Sequence, residues 1–434
     1  MEKGSTATVT VQLIPLRHLS AGARALCEEL RREAGRCWSD LVAAHVASRS
    51  GTWLTERELN TRSNGGRYRL HSQSIQALVQ KLLSNVDTAR TNRKREQEAL
   101  GEPVTRYPHR AKPFQTVTWK GQAVRVEGVR LILPNGRKQS DLVLPLPARF
   151  HGADIRQVEL LWRADRYELA LTIAEPLSKP DAQPRPVTGQ VAGVDMGEIN
   201  IAAVCTQDGH ALVVSGRLLR HVKQLRNKRH AAYAERQARC KRGSRRWKRL
   251  QRQKNRASAK FYRQQRNILH QASRKVINFA EAHGVGELAI GDVRDIADGV
   301  AKGRHANQKI SQWPHGQFRA YLKEKGERTG MRSTLTGEAY STRTCSCCGH
   351  NHPSAPRGRV FRCSGCGTTI HRDANGAANI CSKLVYGRYA AVQVKQTMHR
   401  RALAVRAPTR APVAGSKRSV PPPGDGMPPE AHPL

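Results

Sequence analysis

The chain has 434 residues, and its 75 Lys+Arg against 34 Asp+Glu give a net charge of +41 with histidine neutral. Self-repulsion on that scale calls for a polyanionic partner, nucleic acid first and an acidic membrane surface second. No run of eighteen apolar residues is present to span a membrane, and the opening MEKGSTATVTVQLIP lacks the charged-then-apolar order of a secretory signal, so a cytoplasmic protein of two to four domains is expected.

In chain order, residues 6–15 (TATVTVQLIP) alternate polar and apolar and predict a strand. Residues 20–50 turn helical, with Leu26, Leu30, Ala34, Trp38, Leu41 and His45 spaced near 3.6. Thr55 opens a second helical stretch. His71–Arg93 is a third, with Ile75, Leu78, Leu82, Leu83 and Val86 on one face. From about 106 to 177 the texture is β: short alternating runs, a turn at Pro134-Asn135-Gly136 and a hairpin turning over Arg163–Arg166. Together these predict a β-barrel or sandwich interrupted by a helical insert. Residues 178–189 are Pro-rich and polar and read as a linker. GQVAGVDMGEINIAAVCTQDG then predicts two strands joined by a tight turn.

Gly216–Val276 holds 22 Lys/Arg and a single acid, Glu235, in a helical pattern broken at Gly243-Ser244. A solvated helix face mixes signs, whereas one sign of charge on a helical hairpin reads as a nucleic-acid surface. Its candidate contacts are Arg226, Lys228, Arg229, Arg245, Arg246, Lys248, Arg249, Arg252, Lys254, Arg256, Arg263 and Arg266. Trp247, Phe261 and Tyr262 either stack on bases or pack inside the hairpin. Residues 286–292 (GELAIGD) predict a strand, followed by a polar loop, a helix near 314–330 and a strand in MRSTLTG. A helix is expected at about 372–384. The tail from about 400 carries eight of the 22 prolines and reads as disordered.

Five of the ten cysteines fall between residues 345 and 366. Cys345-x2-Cys348 and Cys363-x2-Cys366, with 14 residues between the pairs and glycines at 349 and 367, have the spacing of a tetrahedral structural zinc ribbon. Cys347 is out of register, and His350, His352 and His371 are possible ligands, although four cysteines already suffice. Gly193-Val194-Asp195-Met196-Gly197 puts an acid at the end of an apolar strand. His371-Arg372-Asp373-Ala374-Asn375-Gly376-Ala377-Ala378-Asn379-Ile380 puts Asp373 at the start of an Ala-rich helix. Singly, these acids have ordinary explanations, a turn former and a helix-dipole partner.

The order is more specific than its parts: strand Asp, basic helices, two strands, zinc ribbon, then Arg-Asp-x-Asn-x-Ala-x-Asn on a helix. It resembles the RuvC nuclease domain of TnpB-type transposon-encoded nucleases and miniature type V CRISPR effectors, over about residues 190–385. Phe114-x2-Val117 and the Val158–Tyr167 hairpin are similar to that family as well. The resemblance implies a multidomain α/β protein. An N-terminal β-barrel (wedge) domain, 1–18 and 104–180, is interrupted by a helical recognition module, 19–103. An RNase H-like RuvC domain, 190–343 and 370–398, includes the basic helices 217–276. The inserted zinc ribbon spans 344–369 and a disordered tail 399–434.

One departure stands out. The family's second motif ends the middle strand on Glu, but here the segment is Ile290-Gly291-Asp292-Val293. Asp292 is one residue on and should face away from the site. Glu338 ends the neighbouring strand, and a glycine at 291 leaves room for its carboxylate, so Asp195, Glu338 and Asp373 are the expected catalytic acids. Asp292 and Asp295 are fallbacks.

The resemblance implies two Mg2+ ions on these acids hydrolysing a phosphodiester, a structural Zn2+, a guide RNA and double-stranded target DNA. It also implies a monomer or homodimer in the prokaryotic cytoplasm, associated with the nucleoid. Arg67, Tyr68, Ser72, Gln73 and Gln76 are candidates to read a flanking DNA motif. Two alternatives stay open: a nuclease-dead RNA-guided repressor, and a zinc-ribbon RNA-binding protein without guided targeting.

Overall fold

The computed structural model describes residues 8–175, 189–294, 296, 303–354, 356 and 358–403. Residues 178–188 of the expected linker and 404–434 of the expected tail lie outside the described residues.

Strand β1 (Thr8–Leu16) leads into helix α1 (Ala21–Ala47), whose Ser20 cap accepts a hydrogen bond from the Ala23 amide. Helix α2 (Glu56–Ser63) opens on a capping box in which Thr55 and Glu58 satisfy each other's amides. Helix α3 (Ser72–Leu100) follows. The stripes read from the sequence are buried: Leu30, Ala34, Trp38 and Leu41 of α1 share one core with Ile75, Leu78, Leu82 and Val86 of α3. His45 is buried with them.

Six strands follow: β2 (Val117–Lys120), β3 (Arg125–Glu127), β4 (Arg130–Leu133), β5 (Leu142–Pro145), β6 (Asp154–Trp162) and β7 (Tyr167–Glu175). The expected barrel does not close. The strands form an open antiparallel sheet, β1-β7-β6-β2, and a separate sheet, β3-β4-β5. The helices explain why closure is unnecessary. Leu160, Leu169 and Leu171 of the larger sheet and Leu131 and Leu144 of the smaller one join the core of α1 and α3, so helices seal the apolar faces.

The second half is built on a six-stranded sheet. Its meander is β8 (Gln190–Met196), β9 (Asn200–Thr206) and β10 (His210–Ser215). The basic helices α4 (Arg217–Ala238) and α5 (Arg245–Ala282) come next, broken where Gly243 takes φ 83° and Ser244 caps α5. Strand β11 (Val285–Gly291), helices α6 (Arg304–Ser311) and α7 (His315–Glu327) and strand β12 (Arg332–Thr336) follow. A small hairpin, β13 (Val360–Arg362) and β14 (Thr369–His371), precedes helix α8 (Arg372–Tyr386) and strand β15 (Gln396–Arg401).

The sheet order is β12-β11-β8-β9-β10-β15. Strands β8, β11 and β12 run parallel, β9 is antiparallel to both β8 and β10, and β15 is parallel to β10. Helices α5 and α7 cover one face through Phe261, Ile277 and Phe318. Helix α8 covers the other through Ala374, Ala377 and Ile380.

Five of these elements go beyond the sequence reading: β10, α6, β13, β14 and β15. The apolar run of β10 is too short to separate from the helix after it. The β15 segment, QTMHRR, is a half-exposed edge strand with no apolar pattern to show. It also corrects the tail boundary, because residues 399–401 belong to the sheet.

Candidate active site

The register brings residues far apart in sequence to one end of the sheet. Ile290 of β11 pairs with Val194 of β8, and Gly291 pairs with Thr336 of β12. Asp195, Gly291 and the loop after Thr336 therefore lie side by side at the C-terminal ends of three parallel strands. In open α/β sheets that edge is where ligands bind.

Helix α8 closes over this edge with bare backbone. A Cβ at Gly193 would strike the Ala377 carbonyl oxygen, and one at Gly376 would stand 2.5 Å from Asp195 Oδ2. The helix thus delivers Asp373 to the same edge.

Glu338 lies where the glycine leaves space: a Cβ on Gly291 would collide with Glu338 Oε2. That oxygen is buried and has no hydrogen-bond partner. Its loop is pinned from α8 and beyond. Lys383 Nζ donates to the Gly337 carbonyl (3.0 Å) and the Tyr389 hydroxyl to the Ala339 carbonyl (2.6 Å).

The electrostatics are those of crowded, desolvated acids. Burial holds the Asp195 carboxyl well above the usual carboxylate range, and the charges of Glu338 and Asp373 add to it. Burial pushes Glu338 up to about 7, with the nearby Asp292 contributing. Asp373 is buried in a different setting. It accepts from Asn200 Nδ2 (2.7 Å) and from Arg359 Nη1 (3.0 Å to Oδ2), the latter reaching in from beside the β13–β14 hairpin.

Asp292 is committed to Arg294, whose Nη2 stands 2.7 Å from its Oδ2, though its charge still reaches Glu338. Asp295 lies outside the described residues. The three expected acids do not draw into one tight shell: among the described residues, the four cysteines form the only group of three or more Cys, His, Asp or Glu with all ligand atoms within 4.8 Å of one another.

In the cysteine cluster, Cys345 and Cys366 sulfurs lie 3.8 Å apart and Cys348 and Cys363 sulfurs 3.6 Å apart. Gly349 (φ 78°) and Gly367 (φ 73°) make the tight turns after each pair. The Cys347 and Gly365 amides point at Cys345 and Cys363 sulfurs (3.4 and 3.3 Å), so Cys347 acts through its backbone. The Thr368 hydroxyl brings Cys366 down to about 6, a thiolate ready for a metal, whereas burial pushes Cys345 up to about 12. Four thiol ligands in this arrangement are compatible with a structural zinc.

Two residues whose role the sequence reading missed join this cluster to α8. Buried Asn375 accepts from the Ser346 amide (2.8 Å) and donates to the Thr344 carbonyl (2.8 Å). Asn379 donates to the Ser341 and Thr344 carbonyls (2.8 and 2.7 Å). Their signal was present, because two asparagines on the buried face of an Ala-rich helix must find backbone partners.

Of the twelve basic candidates, Lys228, Arg229, Arg245, Arg246, Lys248, Arg249, Arg252 and Arg256 are exposed on α4 and α5, and Arg226, Lys254 and Arg266 are half-buried. Arg263 is committed to Asp165 through two bonds of 2.9 and 2.8 Å, which ties the β6–β7 turn to α5. Phe261 is core, Trp247 is half-buried and Tyr262 is exposed. Tyr68 is buried with its hydroxyl on Asp40 (2.7 Å), so it has no access to a base edge. No helix among the described residues is long and apolar enough to cross a membrane.

Two family models match the chain. A probable transposase model, OrfB_IS605, matches residues 174–297, and a Cas12f1-like TNB domain model matches residues 315–380. The first takes in β8 to β11 with both basic helices, and the second α7, β12, the cysteine cluster and half of α8. In class, then, residues 174–297 are similar to a probable transposase and residues 315–380 to a Cas12f1-like TNB domain. More narrowly, over these two segments the chain is similar to TnpB-type proteins and miniature type V effectors.

Among solved structures, Cas12f1 in its complex with sgRNA and target DNA is similar in fold, with a TM-score of 0.57 at 12% identity over 83% of each chain. The mini-RNA-guided endonuclease CRISPR-Cas_phi3 gives a TM-score of 0.44 at 12% identity, covering 88% of this chain and 93% of that one. A search of the curated proteins finds no match.

Proposed function

We propose that the chain is an RNA-guided DNA endonuclease whose RuvC-type centre uses Asp195, Glu338 and Asp373, with Glu338 replacing the family's strand-end Glu. The carrying observation is the fit of Glu338 Oε2 into the space that Gly291 leaves open, buried and without a partner. A buried carboxylate oxygen is costly unless a cation or donor satisfies it. Neither Asp195 nor Glu338 is in an ion pair or side-chain hydrogen bond with a described residue, so their oxygens suit a hard, oxygen-preferring cation such as Mg2+. When bound, Mg2+ supplies an activated water and charge stabilisation at the leaving 3′-oxygen of a phosphodiester.

The chain's own residues do the rest. Lys383 and Tyr389 fix the loop that presents Glu338. Asn200 orients the Asp373 carboxylate, and Arg359 neutralises it until a metal competes. The exposed lysines and arginines of α4 and α5 hold the phosphates of a guide–target duplex without reading its bases. The four cysteines hold zinc, which keeps the small 344–369 unit folded. The Cas12f1 likeness supports a guide RNA and target DNA as partners, since that protein was solved with both.

The Arg359–Asp373 ion pair, with Gly291, favours a second reading: a guided DNA binder that does not cut. The test is cleavage of a plasmid matched to a guide transcribed from DNA beside the gene, with Mg2+, by wild type, Asp195→Ala and Glu338→Ala. Cutting by wild type alone supports the endonuclease. No cutting by wild type, with guide-matched binding, supports the repressor. Binding that ignores the guide sequence supports an unguided RNA-binding protein.

A further inference from the structure

Away from the acids, where the β6–β7 turn meets α5, lies a cleft of about 390 Å3. Drug-sized ligands occupy pockets of roughly this order and above. Trp162 and Arg163 line it from the hairpin, and Asn255, Ala259, Tyr262 and Arg266 from α5. The frame is rigid. Ala164 holds a left-handed φ of 63° at the turn, and the Arg263–Asp165 pair staples the turn to the helix. Buried Glu168 takes Arg166 Nε at 3.1 Å and Arg163 Nε at 3.8 Å.

The lining is aromatic and cationic with unused capacity. Trp162 is 38% exposed and leans on Tyr167 with 4.8 Å between ring centroids, while Tyr262 is 48% exposed and packs on no other ring among the described residues. Tyr262 also borders a second cleft, of about 230 Å3, lined by Arg226 and His230. Arg266 has no acidic partner among the described residues. The Asn255 carbonyl oxygen is taken by Gln251 (2.8 Å), which leaves its NH2 group to donate. The cleft opens in the basic surface of α5, where a phosphate chain would run. Two large aromatics left part-exposed beside a basic surface are free to stack on a ligand's ring.

We propose that this cleft receives one unpaired nucleobase of the bound RNA. The base stacks on Tyr262 and Trp162, Arg266 meets its edge or flanking phosphate, and the Asn255 amide donates to a base acceptor. Bases splayed from RNA bulges and loops are recognised by such stacking on aromatic and guanidinium planes. The proposal rests on the nucleic-acid reading of α4 and α5 and is independent of whether the acids cut.

The probe is an RNA hairpin with a single bulged 2-aminopurine, compared with the same hairpin fully paired and with its DNA counterpart. The full-length wild-type chain should bind the bulged RNA roughly ten-fold more tightly than the paired one and quench 2-aminopurine fluorescence. Tyr262→Ala and Trp162→Ala should lose preference and quenching while binding the paired hairpin as before. Tyr262→Phe should keep both, and Arg266→Gln should lose part of the preference. Equal binding of both RNAs, or no measurable binding, overturns the proposal. So do variants that weaken both RNAs equally, and an equal preference for bulged DNA overturns the assignment to RNA. Cleavage is not a readout here, so a dead nuclease leaves the proposal standing and a cutting one does not rescue it.

Discussion

The cysteine cluster and the acid cluster lie next to each other in space and are assembled in opposite ways. All four cysteines come from one short stretch, and two tight turns bring their sulfurs together. The three acids, at residues 195, 338 and 373, reach one edge of the sheet only because three parallel strands and one helix hold register. The first is a local site and tolerates distant damage. The second is a product of topology and fails when any of its supports slips.

The sharpest way to test that contrast is at the acids themselves. Asp195→Asn should reduce guided cleavage by about 10³-fold or more, since several kcal/mol of charge stabilisation is removed. Thermal denaturation without metal should be unchanged or improved, because Asn is neutral in this desolvated place without having to take up a proton.

Next comes the proposed relocation of the carboxylate to Glu338. Gly291→Ala puts a methyl group where Glu338 Oε2 lies and should cost cleavage roughly 10- to 100-fold, since small displacements of a catalytic group cost about that much. Combining Gly291→Glu with Glu338→Gly should recover part of the loss seen in Glu338→Gly alone, as measured on the same matched plasmid. Failure of that rescue would break the equivalence of the two positions.

A smaller effect separates the sites by stability. Asn375→Ala strands the buried Ser346 amide, at about 1–3 kcal/mol. The 341–346 segment should become sensitive to limited proteolysis while the zinc content, read by elemental analysis, stays at one per chain.

The mildest prediction concerns pH. Glu338 titrates at about 7 in the fold, above its ordinary range. Its neutral form therefore favours the folded state fully at acidic pH, and that contribution is lost as pH rises through about 7. Without metal, wild type should lose stability relative to Glu338→Gln between about pH 5 and 8. Added Mg2+ should raise the melting temperature more at pH 8 than at pH 5.5.

Legibility in the sequence follows the same division. Spacing predicts the cysteine cluster outright, and the α1 and α3 stripes land in the core as read. Gly291 and Glu338 are legible only through an assumed sheet order, because the relation between them is one of neighbouring strand ends. The open sheets in place of a barrel are not legible, since alternation reports which face is buried and not what covers it. The same limit hides Arg359, whose meeting with Asp373 depends on how the hairpin folds back onto α8. Arg263 reads as one more phosphate contact until Asp165 is found opposite it.

Strand β15 has a consequence for how the protein is made. It joins the sheet beside β10, pairing Gln396 with His210, and α8 reaches Asp195 only after the cysteine segment has been translated. Synthesis runs from the N-terminus, and domains fold as they emerge. The basic helices leave the ribosome long before the last acid does. On the proposed function, a nascent chain gathers RNA while it has no complete acid site, which delays any cutting activity until the helix that carries Asp373 has been made.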